Sequence, residues 1–274
     1  NTNDMFGSPA AMQVWDLFYE YLVSSKHFSR KVALEGVSRG GLYVYNWAKR
    51  NPLKVACIYA EAPVLDFKSW PGGKGTGKGS PEDWKGVLSS YGFSETQAME
   101  YKDNPIDNLG GLAACKVPIL HAIGLNDKIV PPSENTFVLV KNYTALGGIA
   151  TIYPMTRFEQ NLEGHHFPIE HPERIADFVE ANPHVDDHHE DAADDGAESA
   201  VTRVRRHLAA DRARRLPDHF LRQILLQLGE HFLSVRFGKR QADGPVAVSF
   251  VALSRPAGAG HVGNNRAADY LVRC

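Results

Sequence analysis

Gly36-Val37-Ser38-Arg39-Gly40-Gly41 joins a short apolar run, VALEGV (32–37), to a segment of helical spacing, LYVYNWAKRN (42–51). A strand that ends here and a helix that begins here must meet in a sharp turn, with Ser38 in a strained conformation. Gly36 and Gly40, two positions to either side, keep side chains out of that turn. This is the G-x-S-x-G nucleophile elbow in its strand–turn–helix context. It sets Ser38 at the N-terminus of the following helix, where free N–H groups and the helix dipole favour developing negative charge. The backbone N–H of Arg39 is then the expected oxyanion donor. The competing reading is a glycine-rich turn with an ordinary helix-capping serine, and the flanking strand and helix weigh against it.

Outward from the elbow, residues 1–181 alternate helical and strand-like patterns. Ser8-Pro9 reads as a helix cap and first turn. Met12, Trp15, Phe18, Tyr19 and Leu22 follow at three- and four-residue spacing, as an amphipathic helix requires. KVACIYAEAP (54–63), VPILHAIG (117–124) and IATIYPM (149–155) read as further strands. Helices fit 132–146 and 172–182. Strands and helices in alternation imply crossover connections and a parallel sheet covered on both faces. Residues 66–111 break the rhythm with DFKSWPGGKGTGKGSPEDW and a helix-like SETQAMEYKDN. An insertion of that length in an α/β domain is expected to be a lid or binding loop.

A serine hydroxyl needs a general base, and the base needs an orienting carboxylate. In folds built on this elbow they follow in the order Ser, Asp or Glu, His. Asp127 follows the third strand in HAIGLNDKIVPP. His165 follows the fourth in NLEGHHFPIEHP, before the last helix. Both positions fall in loops at the end of the sheet where Ser38 emerges. Each has rivals: His166 adjoins His165, His121 lies inside a strand pattern and reads as structural, and Asp66 and Asp107 lie in the insertion. Asp127 could also be a turn-forming residue.

GVSRGGLYVYNWAKRNPLKVACIY, GLNDKIVPPSENT and EGHHFP together resemble bacterial α/β-hydrolases of the serine esterase and prolyl-oligopeptidase-like type, over roughly residues 5–181. The resemblance implies a partial α/β-hydrolase fold, with a mostly parallel sheet and flanking helices. It implies Ser38 as nucleophile, Asp127 as acid and His165 as base, with no cofactor. The expected reaction is hydrolysis of a small-molecule carboxylic ester, a carbohydrate ester by preference. A peptidase is the runner-up, lowered by the absence of a propeller domain. Trp70 and His166 are the expected substrate contacts, with packing inside the insertion an equal reading of Trp70 and of Trp84. Only 37 residues precede Ser38. The expectation is therefore an N-terminally truncated hydrolase without the loop that carries the second oxyanion donor. An exposed sheet edge follows, inviting homo-oligomer formation. An inactive remnant that binds without turnover is the alternative from another class.

The second part of the chain has another composition. Residues 1–181 hold 12 Lys and 5 Arg, and residues 182–274 hold 1 Lys and 12 Arg. Between them, residues 182–200 read as an acidic linker with His184, His188 and His189, unable to bury enough surface to order itself. Residues 201–274 read as an Arg-rich segment unrelated to the hydrolase or disordered. It is either an appended module or a chimeric or out-of-frame translation. A strand at 244–253 could pair with the exposed sheet edge. The whole chain has 30 Lys plus Arg against 32 Asp plus Glu, so no basic excess points to nucleic acid. No apolar run reaches the ~18 residues of a membrane span. The start of the chain does not read as a signal peptide, and the compartment stays open. Gly72-x4-Gly77-Lys78-Gly79 misses the P-loop pattern because Gly79 stands where a hydroxyl residue is needed. It reads as a flexible basic loop near the site. No metal-ligand spacing is present. Three cysteines, Cys57, Cys115 and Cys274, exclude a disulfide scaffold.

Overall fold

A computed structural model describes residues 3–26, 28–155 and 162–182, together with the backbone of Val248–Val251. Apart from Asn182 and that short backbone, the acidic linker 182–200 and the Arg-rich segment 201–274 lie outside the described residues, Cys274 included.

The elements run in the expected order. Helix α1 (Pro9–Lys26) precedes strand β1 (Val32–Val37), helix α2 (Gly40–Arg50) and strand β2 (Val55–Glu61). The insertion contributes α3 (Pro81–Tyr91), α4 (Glu95–Glu100) and α5 (Gly110–Ala114). Strand β3 (Ile119–Gly124), α6 (Thr136–Ala145), β4 (Ala150–Met155) and α7 (Glu173–Glu180) complete the alternation. β1 to β4 are parallel and lie side by side, in the order β4-β3-β2-β1. Beyond β1 lies β5 (Val248–Val251), paired antiparallel to it. Of the two expectations for this edge, left open or paired with the 244–253 strand, the second describes the pairing: β5 faces Ala33–Gly36 of β1.

The sheet alternates its burial as period-two geometry requires. Ile58, Ala60 and Ile119 join the larger core, which includes α1, α2 and Tyr143 of α6. Tyr59, Leu120 and Ala122 face the other way into a smaller cluster with Met155 and Phe167, against which Ile175 and Phe178 of α7 pack. β3 is buried along its whole length, so a parallel strand covered on both faces needs its near-continuous apolar run.

Two local expectations differ from the structure. α1 begins at Pro9, yet the buried Ser8 Oγ has no partner among the described residues; Ser8 serves through its carbonyl, which accepts from the Met12 N–H at 3.0 Å. α3 was not anticipated. Its start is regular: Ser80 Oγ accepts from the Asp83 N–H at 3.4 Å, Pro81 occupies the first turn, and Glu82 and Asp83 sit where the helix dipole favours negative charge.

Candidate active site

The elbow forms as its glycines allow. Ser38 has φ 53°, a conformation unfavourable for a residue with a side chain. Three backbone bonds hold it there. Its N–H donates to Glu61 O at 2.8 Å, and its carbonyl accepts from Gly41 and Val64 at 3.0 and 2.8 Å. A Cβ on Gly36 would come within 2.8 Å of Val44 Cγ2, so only glycine lets α2 pack this close to β1.

Ser38, His165 and Asp127 meet at the C-terminal edge of the sheet. Ser38 Oγ lies 2.8 Å from His165 Nε2, and His165 Nδ1 lies 2.7 Å from Asp127 Oδ2. Both His165 and Asp127 are 5% exposed. The other carboxylate oxygen, Oδ1, accepts from the Ile129 and Val130 N–H groups at 2.8 Å each. The turn-forming role and the site role thus use different oxygens of one side chain. A carboxylate at Nδ1 can only accept, so the Nδ1 proton stays on the ring and the Nε2 lone pair faces the Ser38 hydroxyl.

The loops that carry Asp127 and His165 are interlocked. A Cβ on Gly164, which has φ 91°, would come within 2.8 Å of Asn126 O, and one on Gly124 would collide with Gly164 O. The Lys128 N–H donates to Glu163 O at 3.0 Å.

The other expected site residues sit around this relay. His166 is half-buried, its ring 5.0 Å from that of His165. The Arg39 side chain is 12% exposed, its guanidinium 3.4 Å from Asp83 Oδ1 and close to the rings of Phe6 and Trp70. Trp70, expected to contact substrate, is instead 6% exposed and packed in the main core, with the Arg39 guanidinium 6.0 Å from its ring centroid. The rival carboxylates are engaged within the insertion. Asp66 accepts from the Lys68 N–H at 2.9 Å, and Asp107 from the Asn104 N–H at 3.0 Å. Burial raises the Asp66 carboxyl above its usual range, opposed by Lys68.

Lys68, Lys74 and Lys78 of the insertion, whose glycine-rich part was expected to be a flexible basic loop, each have a partner. Lys68 donates to Tyr101 O at 3.1 Å, Lys74 to Glu95 at 2.9 Å, and Lys78 pairs with Glu163. Sequence reasoning missed the hubs that secure it. Asn135, 1% exposed, accepts from the Leu65 and Asp66 N–H groups and donates to Ser69 Oγ and Pro131 O. Nothing in the spacing around Pro131-Pro132 marks it.

Among the described residues, no group of three or more His, Cys, Asp or Glu side chains is arranged to hold a metal ion, and no helix is long and apolar enough to cross a membrane. Cys57 is fully buried, and burial pushes its thiol up to about 12, so it is no competing nucleophile.

Parallel strands with crossover helices, a strained serine elbow after β1, and Asp127 and His165 after β3 and β4 make up the arrangement of the α/β-hydrolase fold. Solved structures similar to this chain include a hydrolase, a peptidase and an esterase. A puromycin hydrolase is 22% identical at a TM-score of 0.40, over 55% of this chain and 21% of its own. The acylaminoacyl peptidase of Pyrococcus horikoshii is 14% identical at 0.42, over 53% of this chain and 22% of its own. Acetyl xylan esterase 1 from Thermoanaerobacterium sp. JW/SL YS485 is 20% identical at 0.37, over 56% and 44%. The chain spans about a fifth of the length of the first two. No protein-family model and no curated protein matches the sequence.

Proposed function

We propose that this chain is a serine hydrolase that cleaves carboxylic esters through a Ser38–His165–Asp127 triad and an acyl-enzyme. The reading rests on one observation, the continuous relay from Ser38 Oγ through His165 to Asp127 at 2.8 and 2.7 Å. Ser38 Oγ attacks the ester carbonyl carbon while His165 Nε2 takes its proton. Asp127 holds the ring and stabilises the imidazolium that forms. The backbone N–H of Arg39 donates to the oxyanion. The tetrahedral intermediate expels the alcohol, which receives the proton from His165. Water then attacks the acyl-enzyme with His165 as base, releasing the acid and restoring Ser38. No step calls for a cofactor. The half-buried His166 beside the base is the proposed substrate contact, with Trp70 acting behind Arg39. Acetylated sugars are the first natural substrate class to try.

The test is hydrolysis of p-nitrophenyl acetate by the chain beside Ser38→Ala. Turnover that vanishes in the variant upholds the proposal, and the same background rate in both overturns it.

A further inference from the structure

The glycine-rich stretch 72–79 lies flat against the loop that carries Asp127, and its missing side chains are the reason. A Cβ on Gly77 would come within 3.0 Å of Ile129 O and Pro131 Cδ, and one on Gly75 would enter the Glu134 carboxylate. Gly73 and Gly79, both with positive φ, close the stretch on itself: a Cβ on Gly79 would meet the Gly73 backbone at 2.7 Å.

Glu134 anchors it. Its Oε1 accepts from the Thr76 N–H and Oγ1 at 2.5 and 2.6 Å, and its Oε2 from Ser69 Oγ at 2.6 Å. Partial burial works to raise this carboxyl, and the hydrogen bonds outweigh it and hold the group below its usual range. At the far end, Lys78 pairs with the Glu163 carboxylate, which Lys128 of the acid loop also faces. Glu163 has φ 52°, unfavourable for a side-chain-bearing residue, and stands two positions before His165. Its carbonyl is already tied to the Lys128 N–H.

We propose that residues 72–79 form a positioning strap: anchored on Glu134, the strap carries Lys78 to Glu163 and so holds the turn that presents His165 to Ser38. Lys78, Glu134 and Glu163 are positioning residues that touch no reacting atom. The Lys78–Glu163 pair is exposed, at 66% and 40%, so it adds little to global stability. Its effect is to hold a strained turn in one geometry, where a displacement of about 1 Å is costly to catalysis. This inference rests on the hydrolase reading of Ser38, His165 and Asp127.

The experiment uses the full chain, p-nitrophenyl acetate, and the downfield proton resonance of His165 Nδ1–H. Lys78→Met is expected to lower kcat roughly tenfold with KM within about twofold. Glu163→Gln should match it, and the double variant should lose no more than either single change, because both break one contact. Lys78→Arg should recover kcat to within roughly threefold of the parent. The resonance should broaden in Lys78→Met and stay sharp in Lys78→Arg. A kcat for Lys78→Met within twofold of the parent, or losses that multiply in the double variant, overturns the strap. If the parent shows no Ser38-dependent turnover, the hydrolase reading fails by itself. The resonance then decides the strap: broadening in Lys78→Met upholds it, and an unchanged signal removes it.

Discussion

Two buried histidines in this molecule each bridge two hydroxyl- or carboxyl-bearing side chains, with opposite consequences. His165, in the loop region at the sheet edge, lies between Ser38 and Asp127. His121, inside β3, lies between Tyr45 of α2, with Nε2 2.5 Å from Tyr45 Oη, and Thr136 of α6, with Nδ1 3.1 Å from Thr136 Oγ1. The loop histidine has a carboxylate on one side and, on the other, a hydroxyl held in a strained elbow. The core histidine has two neutral partners and is fully buried, and burial lowers it to about 3. A histidine paired with a carboxylate can take up a proton during a reaction. One sealed among neutral groups is held neutral and works as a hydrogen-bonding core residue.

The comparison breaks first at the loop. His165→Ala is expected to lower kcat by roughly 10⁴–10⁶-fold, with Tm within about 3 °C of the parent. Kinetics beside calorimetry would check it, and a loss of both together would make His165 a structural residue. Asp127→Asn keeps Oδ1 for its two backbone donors and removes the charge at Oδ2. It should cost roughly 10⁴ in kcat, and a loss under tenfold would separate Asp127 from the relay.

The core histidine should behave in the reverse way. His121→Leu strands Tyr45 Oη and Thr136 Oγ1, a cost of about 2 kcal/mol or more. Urea unfolding should register that loss while kcat stays within about threefold of the parent. The pH dependence sharpens the contrast. Folded His121 stays neutral down to about 3, whereas the unfolded chain binds that proton below about 6.5. Stability from this group is therefore intact above pH 6.5 and falls as pH drops toward 3, by about 1.4 kcal/mol per unit. Unfolding at pH 7, 6, 5 and 4 should show this slope in the parent and its absence in His121→Leu. The smallest effect belongs to Thr136→Val, which removes the bond to Nδ1 alone. About 1 kcal/mol of stability and no change in kcat are expected. A kcat effect there would mean that the core and the site are coupled.

Much of this contrast was legible in the chain. VALEGV followed by GVSRGG specifies strand, elbow and helix by local rules, because Gly36 and Gly40 are needed whatever else surrounds them. Asp127 and His165 were legible because each follows its own strand, and parallel strands deliver their ends to one side. His121 was legible as structural because a position inside a strand buried on both faces cannot reach the loops. The lid was not. Asn135 and Glu134 bond to Leu65, Asp66, Ser69 and Thr76, about sixty to seventy positions away, with no periodicity to mark them. The partners of the insertion's lysines were not legible either, because whether a lysine is solvated or paired depends on what the fold sets beside it.

The sequence by itself determined the elements that obey short-range rules: the elbow, the run of strands and helices, and the order in which Ser38, Asp127 and His165 follow their strands. Local sterics and hydrophobic periodicity act within a few residues and leave their signature in the chain. Only the tertiary structure decided that Asp127 divides its two oxygens between turn and relay, that β5 lies against β1, and that the glycine stretch lies on the acid loop with Lys78 at Glu163. Those outcomes depend on distances between segments far apart in the chain, which are fixed when the sheet packs.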